Sequence, residues 1–323
     1  MEALWLEDNQ ISLRDVPQPT KPNEALVKIR MAGICSTDLE LVKGYYPYTG
    51  ILGHEFVGEV VSLTPDPSPN GRGEIKIGDR VVGEINVVCN ECEQCLNGRP
   101  AHCENRTVLG IVNRDGIFAE YTTLPIPNLH VVPVSIPDEM AVFTEPLAAA
   151  LEIQQQVQIQ PTDRVLLIGA GRLGQLIAQT LALTGCNLHV VARHKHQQDL
   201  LKARGIKKIA EEDIQPWRWD IVVEATGSPS GFSLARQAIR PRGTLVLKST
   251  YKGEINVNFS SIVVDEINIV GSRCGPFAPA LRLMESRQVD PMVLIDSEYS
   301  LGDALEAFEH AAETSVLKVL VKP

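Results

Sequence analysis

Four cysteines, Cys89, Cys92, Cys95 and Cys103, form a C-x-x-C-x-x-C-x7-C run. Thiolates at that spacing can close a tetrahedral S4 site around Zn²⁺, and four sulfurs leave no open position, so the metal they imply is structural. Glu91, Glu93 and Glu104 flank the run and argue against a zinc knuckle for nucleic acid. A second pattern, Gly169-Ala170-Gly171-Arg172-Leu173-Gly174, is G-x-G-x-x-G. It follows the apolar run VLLI and opens the apolar-periodic LGQLIAQTLAL, the strand–turn–helix context of a dinucleotide-binding turn. The first glycine makes the turn, the second lets backbone approach a pyrophosphate, and the third lets helix and strand pack closely. An acidic residue for the ribose 2′-hydroxyl of NAD is expected about 20 positions on. Ala192 stands there instead, followed by Arg193, His194, Lys195 and His196. A guanidinium can bind a 2′-phosphate that a carboxylate would repel, which favours NADP(H) over NAD(H). The other reading is a solvated basic turn beside NAD. A third set is dispersed: Cys35 and Thr37 in GICSTD, His54-Glu55, and Glu145-Pro146. Taken singly these are ordinary core or polar residues, and spacing alone does not bring them together.

The elements that must position these residues change in texture along the chain. Residues 25–31 and 56–63 alternate apolar and polar as half-buried strands do, and β character continues to about residue 137. Residues 64–73, TPDPSPNGRG, have the composition of a surface loop. Residues 141–158 have helical spacing. From residue 164 apolar strands are expected at 165–168, 188–192, 221–225, 244–247 and 267–270, with helices at 173–183 and 197–204 between them. That alternation predicts a parallel, doubly wound sheet. The C-terminal stretch predicts an amphipathic helix at 301–312 and a last strand at 316–321.

A chain of 323 residues has room for two domains with real cores. Hydrophobic residues at 44% and charged residues at 22% exclude a disordered chain, and no run reaches the length of a membrane span. The net charge of −10 disfavours nucleic acid as a partner. The start, MEALWLEDNQ, lacks a basic-then-apolar pattern, so the expected location is the cytoplasm, where clustered cysteines read as metal ligands.

GICSTD, GHEFVGEV, GDRV, the four-cysteine lobe, EPLA, VLLIGAGRLGQL, EATGS and IVGS occur in this order across nearly the whole chain. Together they resemble the zinc-dependent medium-chain alcohol dehydrogenases, especially the sorbitol and threonine dehydrogenase branch. The resemblance implies an α/β protein: a GroES-like, partly open β-barrel catalytic domain over residues 1–142, with a structural zinc lobe at 86–106. A Rossmann nucleotide-binding domain over 143–282 and a return to the catalytic domain over 283–323 follow. It implies a catalytic zinc held by Cys35, His54 and a carboxylate, Glu55 or Glu145, with an open position for substrate. Zn²⁺ would act as a Lewis acid on the substrate oxygen while hydride passes between carbinol carbon and nicotinamide. Thr37 falls on the hydroxyl that carries the substrate proton, and Asp38 on the acid that orients the zinc-ligating histidine. Glu40 stands where many relatives carry a histidine. Tyr45, Tyr46 and Tyr48 fall near the substrate entrance, or are half-buried loop residues. The cofactor set is Gly169, Gly171, Arg172, Leu173 and Gly174 of the turn, Arg193 and His194, then Thr226, Gly227, Ser249, Thr250 and the Gly271-Ser272 pair. Lys318 matches a basic residue near the pyrophosphate. The expected substrate is a secondary alcohol, a polyol or the matching carbonyl, and the expected assembly a homodimer or homotetramer. Two alternatives are a zinc-independent quinone or enone reductase of the same superfamily, against which the zinc ligands argue, and a non-catalytic nucleotide-binding sensor.

Overall fold

Alternation in EALVKIRMAG produces the longest strand, Glu24–Gly33, at the centre of the first part of the molecule. A computed structural model describes residues 1–63, 75–250 and 254–323. The stretch 64–73, read as a loop, lies outside the described residues. The chain divides into two compact units: Met1–Glu145 with Leu281–Ser286 and Asp290–Pro323, and Pro146–Ala280 with Arg287–Val289.

In the first unit Glu24–Gly33 pairs antiparallel with Glu55–Leu63 on one side. On the other it pairs with Tyr121–Pro125 and, near its end, with the C-terminal strand Lys318–Lys322. Gly33 lies opposite both Glu55 and Leu320, so the register brings the two ends of the unit's sequence to one point. A Cβ on Gly33 would stand 2.8 Å from Glu55 Oε2, so the missing side chain makes room for that carboxylate. A smaller sheet joins Gln10–Asp15, Glu2–Glu7 and Gly50–Ile51. Phe118, Phe143, Leu4, Leu6, Ile34, Leu41 and Leu52 are fully buried within this unit. The short pair Asn86–Val87 and Thr107–Val108 closes the base of the four-cysteine lobe.

The second unit is a six-stranded parallel sheet of Arg164–Ile168, Asn187–Val191, Lys207–Lys208, Trp219–Glu224, Ile239–Leu247 and Asn268–Gly271. Its spatial order is third, second, first, fourth, fifth, sixth, the dinucleotide-binding order. Leu166, Ile168, Val222 and Leu245 pack with Phe232 and Ala235 of helix Pro229–Ala238.

Two expected helices differ in detail. Residues 141–158 form Asp138–Ala141 and Thr144–Gln156 rather than one helix. Pro146 has no N–H to give the carbonyl four residues back, and Thr144 Oγ1 donates to Ala141 O at 2.7 Å across the break. Residues 301–312 open as a 3₁₀ turn, Leu301–Asp303, before helix Ala304–Ala311. Gly302 weakens the first turn. Among the described residues no helix is long and apolar enough to cross a membrane.

Candidate functional site

Strand Glu24–Gly33 ends, and two residues later Cys35 caps helix Ser36–Val42 in an extended conformation. Its backbone N–H donates to Asp38 Oδ2 at 2.8 Å, which locks the turn that presents the thiol. The other Asp38 oxygen faces His54 Nδ1 at 3.2 Å, with both side chains buried. Nε2 is therefore the imidazole nitrogen left to ligate. Glu55 begins strand Glu55–Leu63, and its carboxylate, Cys35 Sγ and a His54 nitrogen lie within 4.8 Å of one another. Burial pushes the His54 imidazole down, but the negative charges of Asp38 and Cys35 outweigh it and hold His54 well above its usual range. Sulfur, imidazole and carboxylate in one electronegative pocket are a donor set that suits Zn²⁺. Thr37 Oγ1 lies 3.7 Å from Cys35 Sγ, accepting from the thiol.

The second cluster is local. Cys92 Sγ is 3.6 Å from Cys95 Sγ and 3.8 Å from Cys103 Sγ, and Cys103 Sγ is 3.5 Å from Cys89 Sγ. Tetrahedral Zn²⁺ with its usual zinc–sulfur bonds has an edge of about 3.8 Å, so these sulfurs already outline the polyhedron. Backbone N–H groups of Cys89 and Cys92 donate to Cys103 Sγ and Cys89 Sγ, each at 3.4 Å. The amides of Glu91 and Cys92 hold the Cys89 thiol down to about 6, ready as a thiolate.

In the second unit Gly169 has φ +105° and a Cβ there would meet Ala225 O at 2.8 Å; on Gly174 it would meet Gly169 O at 2.2 Å. A Cβ on Gly171 would meet nothing within 4 Å. Gly171 caps helix Arg172–Ala182, so open space lies where an anion would approach the helix N-terminus.

Models of known families match both parts of the chain: the alcohol dehydrogenase GroES-like domain over residues 21–135 and zinc-binding dehydrogenase over residues 173–286. D-arabinitol dehydrogenase 1 of Uromyces fabae is 31% identical over 100% of this chain and 97% of its own. The chain belongs to the zinc-dependent medium-chain alcohol dehydrogenase family. It is an oxidoreductase of the alcohol dehydrogenase type. Two solved structures share its fold over 100% of this chain and 99% of theirs. A zinc-binding dehydrogenase of Sinorhizobium meliloti 1021 bound to NADP has a TM-score of 0.90 at 28% identity. An alcohol dehydrogenase of Escherichia coli CFT073 complexed with NADH has 0.88 at 27%.

Within this dehydrogenase the expected residues are not all brought together. Glu145 lies in the first turn of Thr144–Gln156 and stands outside the Cys35–His54–Glu55 group. Lys318, expected near a pyrophosphate, is buried in the first unit, where its ammonium donates to Glu55 Oε2 and to Ile34 O at 3.3 Å. Arg193 lies just beyond the second strand of its sheet, as the fingerprint requires, but its Nε donates to Glu211 Oε1 at 2.7 Å. His194 caps helix Lys195–Ala203. Thr226 donates through N and Oγ1 to buried Glu224 at 2.7 and 2.5 Å. Among the described residues Ser249 Oγ is buried with no hydrogen-bond partner. Glu40 forms an ion pair with Lys43 at 2.9 Å. Tyr48 donates to Ile51 O at 2.7 Å, which makes it a loop brace, while Tyr45 and Tyr46 are exposed. Neither the Lys318–Glu55 pair nor Lys248, a buried lysine at the end of the fifth nucleotide strand, has a local sequence pattern that would have revealed it.

Proposed function

We propose that this dehydrogenase transfers hydride between a secondary alcohol or polyol, or the matching ketone or aldehyde, and NADP(H). The observation that carries the reading is the convergence of Cys35 with the adjacent pair His54-Glu55 within 4.8 Å, from two places in the sequence. These three hold a catalytic zinc, and Glu145 is not assigned a ligand role. Zinc bound there supplies Lewis acidity toward the substrate oxygen. Cys35 gives the thiolate that fixes the metal at the end of its strand. Asp38 holds the His54 ring in one orientation and selects Nε2 as ligand. Thr37 relays the proton: during oxidation Oγ1 takes the substrate hydroxyl proton as it passes its own on toward solvent, and the relay runs backwards during reduction. Lys318 holds the Glu55 carboxylate when the metal does not. Cys89, Cys92, Cys95 and Cys103 hold a second, structural zinc.

Gly169, Gly171 and Gly174, with Arg172 and Leu173, receive the cofactor pyrophosphate; Thr226, Gly227, Ser249 and Thr250 border its nicotinamide half. Ala192 leaves no carboxylate against a 2′-phosphate, and Arg193 with His194 offers it positive charge, which supports NADP(H) over NAD(H). Lys318 serves the metal site instead of the pyrophosphate. The edge Asn268–Gly271, which pairs on one side only among the described residues, together with exposed Ile269, Phe259, Val263 and Val264, supports a homodimer or homotetramer, readable by sedimentation velocity. Four thiols gathered as metal ligands support a reducing, cytoplasmic location.

The test is initial rates of NADPH and NADH oxidation with a panel of aldehydes, ketones and ketoses, and of the reverse reaction with polyols. Turnover preferring NADPH supports the reading. NADH preference removes the part given to Arg193 and leaves the zinc site standing. No turnover by zinc-replete protein across the panel would count against the substrate class.

A further inference from the structure

A doubly wound sheet binds a dinucleotide beyond the carboxyl ends of its strands, one nucleotide half on strands one to three and the other on strands four to six. The glycine turn follows the first strand and the basic turn the second. The nicotinamide half therefore falls to the ends of Trp219–Glu224, Ile239–Leu247 and Asn268–Gly271. At those ends stands Lys248, only 8% exposed. Its Nζ donates to Arg273 O at 2.6 Å and Ser272 Oγ at 3.2 Å, both just past the sixth strand, and its backbone N–H donates to Glu224 O at 2.9 Å. One residue, through its side chain and its backbone, thus ties three strand ends together. Lysine is almost never buried without a reason of this kind, and neither zinc site nor the glycine turn uses this one. Among the described residues the adjacent Ser249 Oγ is buried without a hydrogen-bond partner, a polar atom that a carboxamide or ribose hydroxyl would satisfy. Glu152 of helix Thr144–Gln156 is near enough to feel the Lys248 charge: burial pushes its carboxyl up and Lys248 opposes that. The Arg273 side chain is exposed, so solvent screens its guanidinium.

Resting on the cofactor reading above, we propose that Lys248 sets the preference of the site for reduced over oxidised cofactor. The nicotinamide ring carries a positive charge when oxidised and none when reduced. A buried ammonium at the strand ends repels only the oxidised ring, and the low-dielectric surroundings carry that repulsion further than water would. The differential affinity biases which form the protein holds and which it releases. Glu152 offsets part of the charge, so the two side chains act in opposite directions.

The experiment is isothermal titration of zinc-loaded protein with NADPH, NADP⁺, NADH and NAD⁺. The unaltered protein is expected to bind the reduced form about tenfold more tightly than the oxidised one. Lys248→Met should narrow that ratio several-fold, chiefly by tightening the oxidised form, and Glu152→Gln should widen it. An unchanged ratio in Lys248→Met, or parallel loss of both affinities, would overturn the proposal by reducing Lys248 to a tie between strands. Should Lys248→Met fail to fold, Glu152→Gln decides alone: a widened ratio supports the proposal and an unchanged or narrowed one overturns it. Failure of all four cofactor forms to bind would overturn the cofactor reading itself and take this inference with it.

Discussion

The Lys318 ammonium donates to the Glu55 carboxylate across 263 residues of sequence, with the two side chains only 4% and 1% exposed. The pair joins the last strand of the chain to the first residue of the strand that follows His54. The Phe143 ring lies 5.4 Å from the Lys318 ammonium and closes one side. Glu55 is thereby offered two cations, the lysine and the metal, and the balance between them is open to measurement.

Lys318→Met leaves a buried carboxylate without its partner. Breaking such a pair costs about 3–5 kcal/mol when nothing replaces it. In chelator-treated protein the loss should be of that size, whereas zinc-loaded protein, with a cation for Glu55, should lose clearly less. Denaturant unfolding of both forms reads the difference. Equal losses would show that Glu55 does not serve the metal.

The four-cysteine lobe has almost no core of its own. Its short strands and the turn Glu93–Leu96 enclose sulfurs rather than apolar side chains. Cys95→Ser should remove one zinc per chain and lower the melting temperature by roughly 5 °C or more. Elemental analysis beside a thermal scan checks it. Unchanged zinc content would contradict the structural site.

The contrast between the two ligand clusters explains what the sequence could convey. The lobe was legible because its ligands lie within one short turn-rich segment, where spacing and geometry are nearly the same thing. The nucleotide sheet was legible for a related reason: VLLI, IVV and LVL are unbroken apolar runs, and the glycine turn follows the first directly. The strand Lys207–Lys208 was not, since two exposed lysines carry no β signal and pair only because a neighbouring edge is there. The Cys35 site was reached through family motifs. Its carboxylate could not be chosen from them, because Glu55 and Glu145 both fit the pattern. Register bears on it: Gly33 lies opposite Glu55 and makes room for its carboxylate, while Glu145 follows the break before Pro146, which is why the proposal takes Glu55. The pairing of Lys318 with Glu55 was not legible because it is set by the meeting of distant strands.

Arg193 is engaged by Glu211, with both side chains largely open to solvent. A 2′-phosphate must compete with that carboxylate for the guanidinium. Arg193→Ala should raise KM for NADPH about tenfold and leave NADH nearly unaffected, since a charged hydrogen bond contributes about 1.5–3 kcal/mol. Glu211→Gln should lower KM for NADPH. Steady-state kinetics with both cofactors checks the pair, and equal effects on both would contradict the role of Arg193.

Asp220 anchors the base of the nucleotide sheet. Burial pushes its carboxyl up, but Arg164 and Arg240 outweigh burial and hold it down to about 2. Its folded value lies below the unfolded one of about 4, so its contribution is complete above that range and is lost as pH falls toward 2. Asp220→Asn should cost about 1 kcal/mol at neutral pH and flatten the fall in stability between about pH 4 and pH 2. Unfolding midpoints across that window test the sign.

The central claim is that Cys35, His54 and Glu55 hold the metal on which turnover depends. Zinc content and turnover measured together on unaltered protein and on Cys35→Ala test it most directly. The account expects two zincs per chain in the first, one in the second, and turnover reduced at least about a thousandfold in the variant while its melting temperature stays above that of Cys95→Ser, because the lobe keeps its metal. Turnover that survives Cys35→Ala, or a variant that still carries both metals, would contradict it.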